Sequence, residues 1–310
     1  MSATSEIRNV ILVGATGNVG SLLIAPLAAN FNLTILSRSS STSKPTNANN
    51  VKTLRADYTL EGLTKAFTGQ DAVVSTVGAV AFGEQKVMID AAVAAGVKRF
   101  LPSEMSMNGD AKAVRDLVPV FKTKHEVLEY LKSKEAKGLT WTGLGTGPLF
   151  DWGLKAGFLD FDISKRHVTL WDKGDTRYSA ITVADLGNAV VGVLQHPSET
   201  ANRYVFAHSV TASQREVLNV LEGQTRQKWN VEPVTTEDEV AKAQKALATG
   251  DYAAAVRLAQ ATAFSNLPNM QQDFDADEKD RVVNDLLGIE MKSVAAVVEE
   301  VLTSERQHDA

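Results

Sequence analysis

Four consecutive apolar residues, Val10, Ile11, Leu12 and Val13, form the first strong pattern along the chain. A strand with one wet face would alternate apolar and polar positions. An unbroken run instead suits a parallel strand covered by helices on both sides. Further strands are expected at residues 33–36, 51–55, 72–76, 99–101 and 139–144. Between them, apolar positions at helical spacing predict helices near residues 18–30, 60–67, 83–95 and 121–134. Strands alternating with helical crossovers predict an α/β fold built on a doubly wound parallel sheet. After Gly145 the pattern loosens. A strand is expected at 167–171, an amphipathic helix at 183–196 stopped by Pro197, and a short strand at 202–207. From Thr211 onward the chain reads as mostly helical, with segments near 213–222, 237–248, 252–263, 278–287 and 293–302.

The first run breaks into Gly14-Ala15-Thr16-Gly17-Asn18-Val19-Gly20 before a helical pattern resumes. Gly14 permits the sharp turn and Gly17 lets backbone approach a pyrophosphate. Gly20 lets the helix pack closely on the strand. The helix N-terminus, at Thr16, Asn18 and Val19, offers free N–H groups to an anion. Strand, turn and helix together mark a dinucleotide-binding Rossmann unit. Residues 1–150 are therefore expected to form that domain, with 175–207 returning to it. Residues 151–174 and 208–310 are expected to form a smaller, mostly helical substrate-binding cap. The Ser-, Thr- and Asn-rich stretch 39–50 reads as a surface loop.

The end of the second strand sorts the cofactors, because a carboxylate there binds the ribose hydroxyls of NADH and an arginine accommodates the extra phosphate of NADPH. The chain has Ser37-Arg38-Ser39-Ser40 and no carboxylate. NADPH is expected, with Arg38 gripping the phosphate and Ser39 adding a donor. Asp57 follows the third strand, where it could contact adenine or cap the helix beginning near Thr59. Thr76, Val77 and Gly78 end the fourth strand in small residues that would let the nicotinamide half lie against backbone.

Composition narrows the function classes. The chain has 310 residues, 44% hydrophobic and 22% charged, with a net charge of -5, so there is no basic footprint for nucleic acid or an anionic membrane. The absence of cysteine excludes disulfides and thiolate catalysis. No run approaches the roughly 20 apolar residues that cross a bilayer. The polar start, Met1 to Glu6, does not resemble a signal peptide, which makes the cytoplasm the expected location. No cluster has metal-ligand spacing, and a monomer or homodimer is expected.

Hydride chemistry needs a proton carrier beside the nicotinamide. Tyr130 and Lys134 match the Tyr-x-x-x-Lys spacing of short-chain dehydrogenases, but they fall at the far end of their helix. Ligands bind instead at the carboxyl ends of strands, which helix beginnings approach. Lys124 sits one turn into that helix, and Val120 stands where the usual tyrosine would be. His125 is adjacent and diverges by about 100° around a helix, so it reads as structural.

With that lysine in place, the chain resembles the isoflavone reductase-like branch of the atypical short-chain dehydrogenases. This branch includes the pinoresinol–lariciresinol and phenylcoumaran benzylic ether reductases and lies within the broader NmrA-like group. The resemblance rests on the glycine turn, the Arg38 loop, Gln85 with Ile89-Asp90-Ala91-Ala92, and Arg99-Phe100-Leu101-Pro102-Ser103-Glu104. It continues in Val120-Phe121-Lys122-Thr123-Lys124 and Ile181-Thr182-Val183-Ala184-Asp185. It implies that Lys124 is the general acid/base and a cofactor-ribose contact, with Gln85 beside the cofactor. Ser103, at the end of the fifth strand, could bind substrate or the nicotinamide ribose, and Glu104 beside it could instead form a structural ion pair or a cap. Met105-Ser106-Met107 replaces the family's aromatic-glycine continuation, and residues 145–152 also depart from its pattern. The expected pocket wall comprises Glu104, Met105, Met107 and Gly147 with the aromatic Phe150, Trp152 and Phe158. The implied activity is NADPH-dependent reduction of a small, largely apolar, aromatic or polyketide-type molecule. The alternative is a non-catalytic NADP(H)-sensing regulator of the NmrA type.

Overall fold

In β1 (Asn9–Val13) the side chains of Val10 and Leu12 enter one apolar core, while Ile11 and Val13 enter another on the opposite face. All four are fully enclosed, which is why the run shows no alternation. The structure is a computed structural model that describes residues 6–42 and 51–308. Residues 1–5 of the polar start and 43–50 of the expected surface loop lie outside the described residues.

The chain continues through α1 (Asn18–Asn30), β2 (Asn32–Arg38), β3 (Val51–Ala56), α2 (Leu60–Phe67) and β4 (Ala72–Ser75). A 3-10 turn at Ala79–Glu84 leads into α3 (Gln85–Ala94), then β5 (Arg99–Leu101), α4 (Lys112–Leu117), α5 (Pro119–Lys132) and β6 (Thr140–Gly145). After β6 come α6 (Phe150–Lys155), β7 (Phe161–Asp162), β8 (His167–Trp171) and β9 (Tyr178–Ala180). Next come α7 (Val183–Gln195), β10 (Arg203–Phe206), β11 (Val210–Ala212), α8 (Gln214–Thr225) and β12 (Asn230–Val234). The chain closes with α9 (Thr236–Ala248), α10 (Ala254–Phe264), α11 (Phe274–Asp277), α12 (Asn284–Leu287) and α13 (Val294–His308).

Seven parallel strands in the order β10-β6-β5-β4-β1-β2-β3 make the central sheet. The chain leaves β1 toward β2 and β3, then crosses back to β4 and runs the other way. The direction therefore reverses between β1 and β4, and a cleft opens there outside the strands' carboxyl ends. β10 pairs in parallel with β6 at the edge of this sheet, whereas β9 pairs with β11.

Several expectations fail in the C-terminal part. The helix expected at 278–287 is broken, because Val282 bridges to Phe206 and Val283 N–H donates to the Phe206 carbonyl at 2.9 Å. Two β-branched residues extend the sheet edge there instead of continuing a helix. The same region corrects the cap boundary: Phe274 packs in one core of the sheet and Leu287 and Ile289 in the other. β12, read as part of a helical stretch, pairs in parallel with β8. Its residues are mostly exposed and it carries Pro233, so it has neither a buried face nor an apolar period to reveal it. The cap core proper gathers around Trp171, Phe161, Tyr178, Phe264 and Val298.

Gly20 sets the distance between α1 and β1. A Cβ there would collide with the Gly14 carbonyl oxygen and lie 2.6 Å from Thr76 Oγ1. Gly20→Ala should therefore cost about 1–3 kcal/mol by overpacking. Urea unfolding should give a lower midpoint with an unchanged slope; an unchanged midpoint would show that α1 is free to shift.

Candidate active site

The glycine turn forms the floor of a cleft of about 270 Å³, lined among others by Gly14, Thr16, Gly17, Arg38, Thr76, Val77 and Gly78. Gly14 has φ +88°, and a Cβ on it would sit 2.7 Å from the Thr76 carbonyl oxygen. No larger residue fits that backbone. Gly17 caps α1 without a side-chain acceptor, which leaves the first-turn N–H groups directed to whatever fills the cleft. Thr76 ties β4 to β1 through Oγ1 to the Val13 carbonyl at 2.9 Å.

At the other end of the cleft, the Arg38 guanidinium lies 4.2 Å from the centre of the Tyr58 ring and pairs with Glu84, both partners being half-exposed. Sequence reading found no carboxylate here because Glu84 arrives from the 3-10 turn, 46 residues away. Tyr58 also lines the cleft where Asp57 was expected, whereas Asp57 is exposed. Nor does Asp57 cap α2: Thr59 does, its Oγ1 accepting from Gly62 N–H at 3.1 Å. Ser39 is exposed and closes β2 onto β3 through its N–H to the Ala56 carbonyl, while Ser37 and Ser41 line the cleft.

Gln85 and Ser103 brace the strand ends rather than face either cavity. The Ser103 N–H donates to Gln85 Oε1 at 2.9 Å, and Ser103 Oγ donates to the Val77 carbonyl at 2.9 Å. Their hydrogen-bonding capacity goes to holding β4, β5 and α3 in register.

A second cavity, of about 1010 Å³, adjoins the first at Asn18, Val19 and the 3-10 turn. The expected Met105, Met107, Gly147, Trp152 and Phe158 line it, and Trp152 and Phe158 set their rings 6.5 Å apart. Its outer wall is the α9–α10 hairpin of the expected cap, through Leu247, Tyr252, Val256 and Ala259, none of which was singled out as pocket wall. Phe150 is a correction. It is fully enclosed in the cap core, because residues two apart on a helix point to nearly opposite sides and Trp152 has the cavity side.

Lys124 is the only charged residue lining this cavity among the described residues. It is 5% exposed, with Nζ 5.0 Å from the Phe82 ring centre and 5.1 Å from that of Phe121. The amine donates to Ser106 Oγ at 2.7 Å, and Ser106 Oγ donates to the Glu104 carbonyl at 2.9 Å. Burial pulls the Lys124 pKa down, and the Glu104 carboxylate opposes that shift. Glu104 is a correction too: it stands behind the wall, 1% exposed, accepting from Tyr204 Oη at 3.2 Å. Burial raises its pKa against the pull of Lys124, and burial followed by Glu104 raises that of Tyr204. Tyr130, by contrast, donates to Asp90 at 2.8 Å beside Lys134, remote from both cavities.

The arrangement can hold an extended anion along the glycine turn and an apolar body in the larger cavity, with one acid–base group on the wall of the latter. Among known proteins, residues 6–272 match the NmrA-like family. The oxidoreductase aprR of Aspergillus flavus is 41% identical over 246 residues, covering 78% of this chain and 82% of that one. A crystal structure of isoflavone reductase has the same fold, with TM-score 0.71 at 21% identity over 94% of this chain and 98% of that one. So does the leucoanthocyanidin reductase of Vitis vinifera in its binary complex with NADPH, with TM-score 0.74 at 18% identity over 94% and 99%.

Between its lowered pKa and the ordinary lysine value of 10.5, Lys124 binds more protons in the unfolded chain than in the folded one. Its contribution to stability therefore rises with pH across that window. Lys124→Met removes the rise. Urea unfolding from about pH 7 to about pH 10 should show the variant losing ground to wild type steadily, and a constant difference would mean that the amine titrates as in water.

Proposed function

The chain belongs to the NmrA-like family and is an oxidoreductase like its fungal relative, and we propose that it is an NADPH-dependent reductase of a small, largely apolar, aromatic or polyketide-type molecule. The observation that carries this reading is a buried amine, the one charged group among the described residues on the wall of an apolar cavity, whose lining at Asn18 and Ala79 follows directly on the Gly17 and Gly78 of the dinucleotide cleft. Gly14, Gly17 and the open first turn of α1 fit a pyrophosphate, since any Cβ at Gly14 would fill the cradle. Arg38 fits the 2′-phosphate, and the Tyr58 face beside it suits adenine.

NADPH supplies the hydride. The protein's part is to orient the acceptor, exclude water and manage one proton. The walls of Met105, Met107, Trp152 and Phe158 favour a flat apolar body and offer no second charge to a polar one. Lys124 stabilises negative charge developing on the acceptor's oxygen and serves as the proton source. Its depressed pKa makes it a readier acid than a solvated lysine. A cofactor-sensing regulator would need neither this amine nor so large an apolar cavity.

Purified protein should consume NADPH with at least one member of a panel of aromatic enones, ketones and quinones, followed by loss of the reduced-nicotinamide absorbance. Lys124→Met should lower turnover by about 10²–10⁴-fold while NADPH binding survives. Undiminished turnover would remove Lys124 from the chemistry.

Cofactor choice tests the opposite end of the cleft. Arg38→Ala should weaken NADPH far more than NADH, measured by quenching of protein fluorescence. Glu84→Gln, which releases the guanidinium from its partner, should tighten NADPH by up to about fivefold, the scale of a half-exposed ion pair, with no gain for NADH. Equal effects on both cofactors would reject the phosphate role.

A further inference from the structure

We propose that Ser106 is the residue that delivers the proton to the reacting oxygen of the substrate, with Lys124 behind it as the reservoir that refills it. The proposal rests on the reductase reading and narrows its substrate to molecules that present a carbonyl or enone oxygen.

Geometry carries the assignment. Ser106 lines the larger cavity, and its Oγ lies 2.7 Å from Lys124 Nζ. The amine itself is flanked by the faces of Phe82 and Phe121 and is almost wholly enclosed, and the hydroxyl it donates to lines the same cavity. A hydroxyl has one hydrogen to give and two lone pairs to receive. Here it accepts from Lys124 and gives its hydrogen to the Glu104 carbonyl at 2.9 Å. Turning that hydrogen toward a more basic oxygen in the cavity requires only rotation about the Cβ–Oγ bond. The residue is otherwise fixed, because the N–H groups of Thr146 and Gly147 both donate to the Ser106 carbonyl at 3.0 Å, pinning it to the end of β6. Such support keeps a proton-transfer group within reach of its partner.

The proton balance closes without another reactant. Reduction of the carbonyl carbon by the hydride of NADPH leaves an electron pair on the substrate oxygen. The Ser106 O–H bond breaks as the substrate O–H bond forms. A proton from Lys124 Nζ re-forms the serine O–H, leaving a neutral amine that water reprotonates after product departure. An unassisted serine is too weak an acid for this role. With an ammonium in hydrogen-bond contact, no full charge has to rest on Oγ.

A chromogenic phenol, 4-nitrophenol, tests the pair without turnover, since its oxygen resembles the developing oxyanion and its ionised form has its own visible band. Titrated into the NADP⁺-loaded protein, it should bind as the phenolate at a pH where the free compound is largely neutral. Ser106→Ala should weaken that binding about tenfold, as expected for one hydrogen bond to a charged group. It should also move ionisation of the bound phenol back toward that of the free compound, with NADP⁺ affinity unchanged. Ser106→Thr, which restores a hydroxyl, should recover most of both. If Ser106→Ala leaves affinity and spectrum unchanged while Lys124→Met abolishes the phenolate band, the proposal fails and the reductase reading stands. If wild-type protein takes up no nitrophenol, or takes it up only as the neutral phenol, both fall.

Discussion

Moving an ammonium group out of water is unfavourable by several kcal/mol unless other groups replace its hydration, and Lys124 is only 5% exposed. Its replacements come from separate parts of the fold. Ser106 accepts one N–H, the aromatic faces of Phe82 and Phe121 flank the charge, and the Glu104 carboxyl supplies a nearby negative group. Glu104 is itself buried and needs a donor of its own, which Tyr204 provides from β10. The strand that returns from beyond the first cap segment is thus part of the site. Its two aromatic rings fit only because β6 has no side chains at Gly143 and Gly145, where a Cβ would lie 2.6 Å from the Tyr204 and Phe206 rings, respectively. Sheet topology and the electrostatics of one amine are therefore a single problem, solved by the same few residues.

The two cavities meet where the chain is least able to deviate. Gly14 and Thr76 fix the floor of the first, and the 3-10 turn that begins at Ala79 passes from one to the other. The larger cavity has an inner wall made by the segments after the strand ends and by α5, and an outer one made by the α9–α10 hairpin. Val80 and Tyr252 on opposite sides of it are among the most exposed large apolar residues of the protein. Apolar groups left in water at a cavity mouth are what an apolar guest would cover. The inner wall carries the chemistry, and the outer wall carries the fit.

Much of the sheet was legible because central strands send alternate residues into two apolar cores, so that Val10 to Val13 and 72–74 read as runs. Lys124 was legible for a different reason: it lies in the first half of α5, where the resemblance keeps a lysine and where helix beginnings face the cleft. What escaped the sequence depends on pairs far apart in the chain. Glu104 meets Tyr204 across 100 positions, Arg38 meets Glu84 across 46, and Lys124 meets Ser106 across 18 with an intervening helix and turn. No local period records such meetings. Phe150 was misplaced because aromatic composition does not say which side of a short helix a ring occupies. The exposed strand β12 was missed because its register comes entirely from β8.

The two acid–base pairings of the site sit at opposite extremes of solvation, and their roles follow from that. Arg38 and Glu84 are each 43% exposed, so water already solvates both charges and separating them costs no more than about 1 kcal/mol. Such a contact can hold the guanidinium stacked on Tyr58 while remaining easy for a phosphate to displace. Lys124 and Glu104 have no such option. Both are almost wholly enclosed, and removing one would leave the other as an uncompensated buried group. The exposed pair is suited to exchanging partners as a cofactor arrives and leaves, and the buried one to shifting a proton while its heavy atoms stay in place. Transposing them would give a phosphate site that never released its arginine and an amine with the proton affinity of any surface lysine.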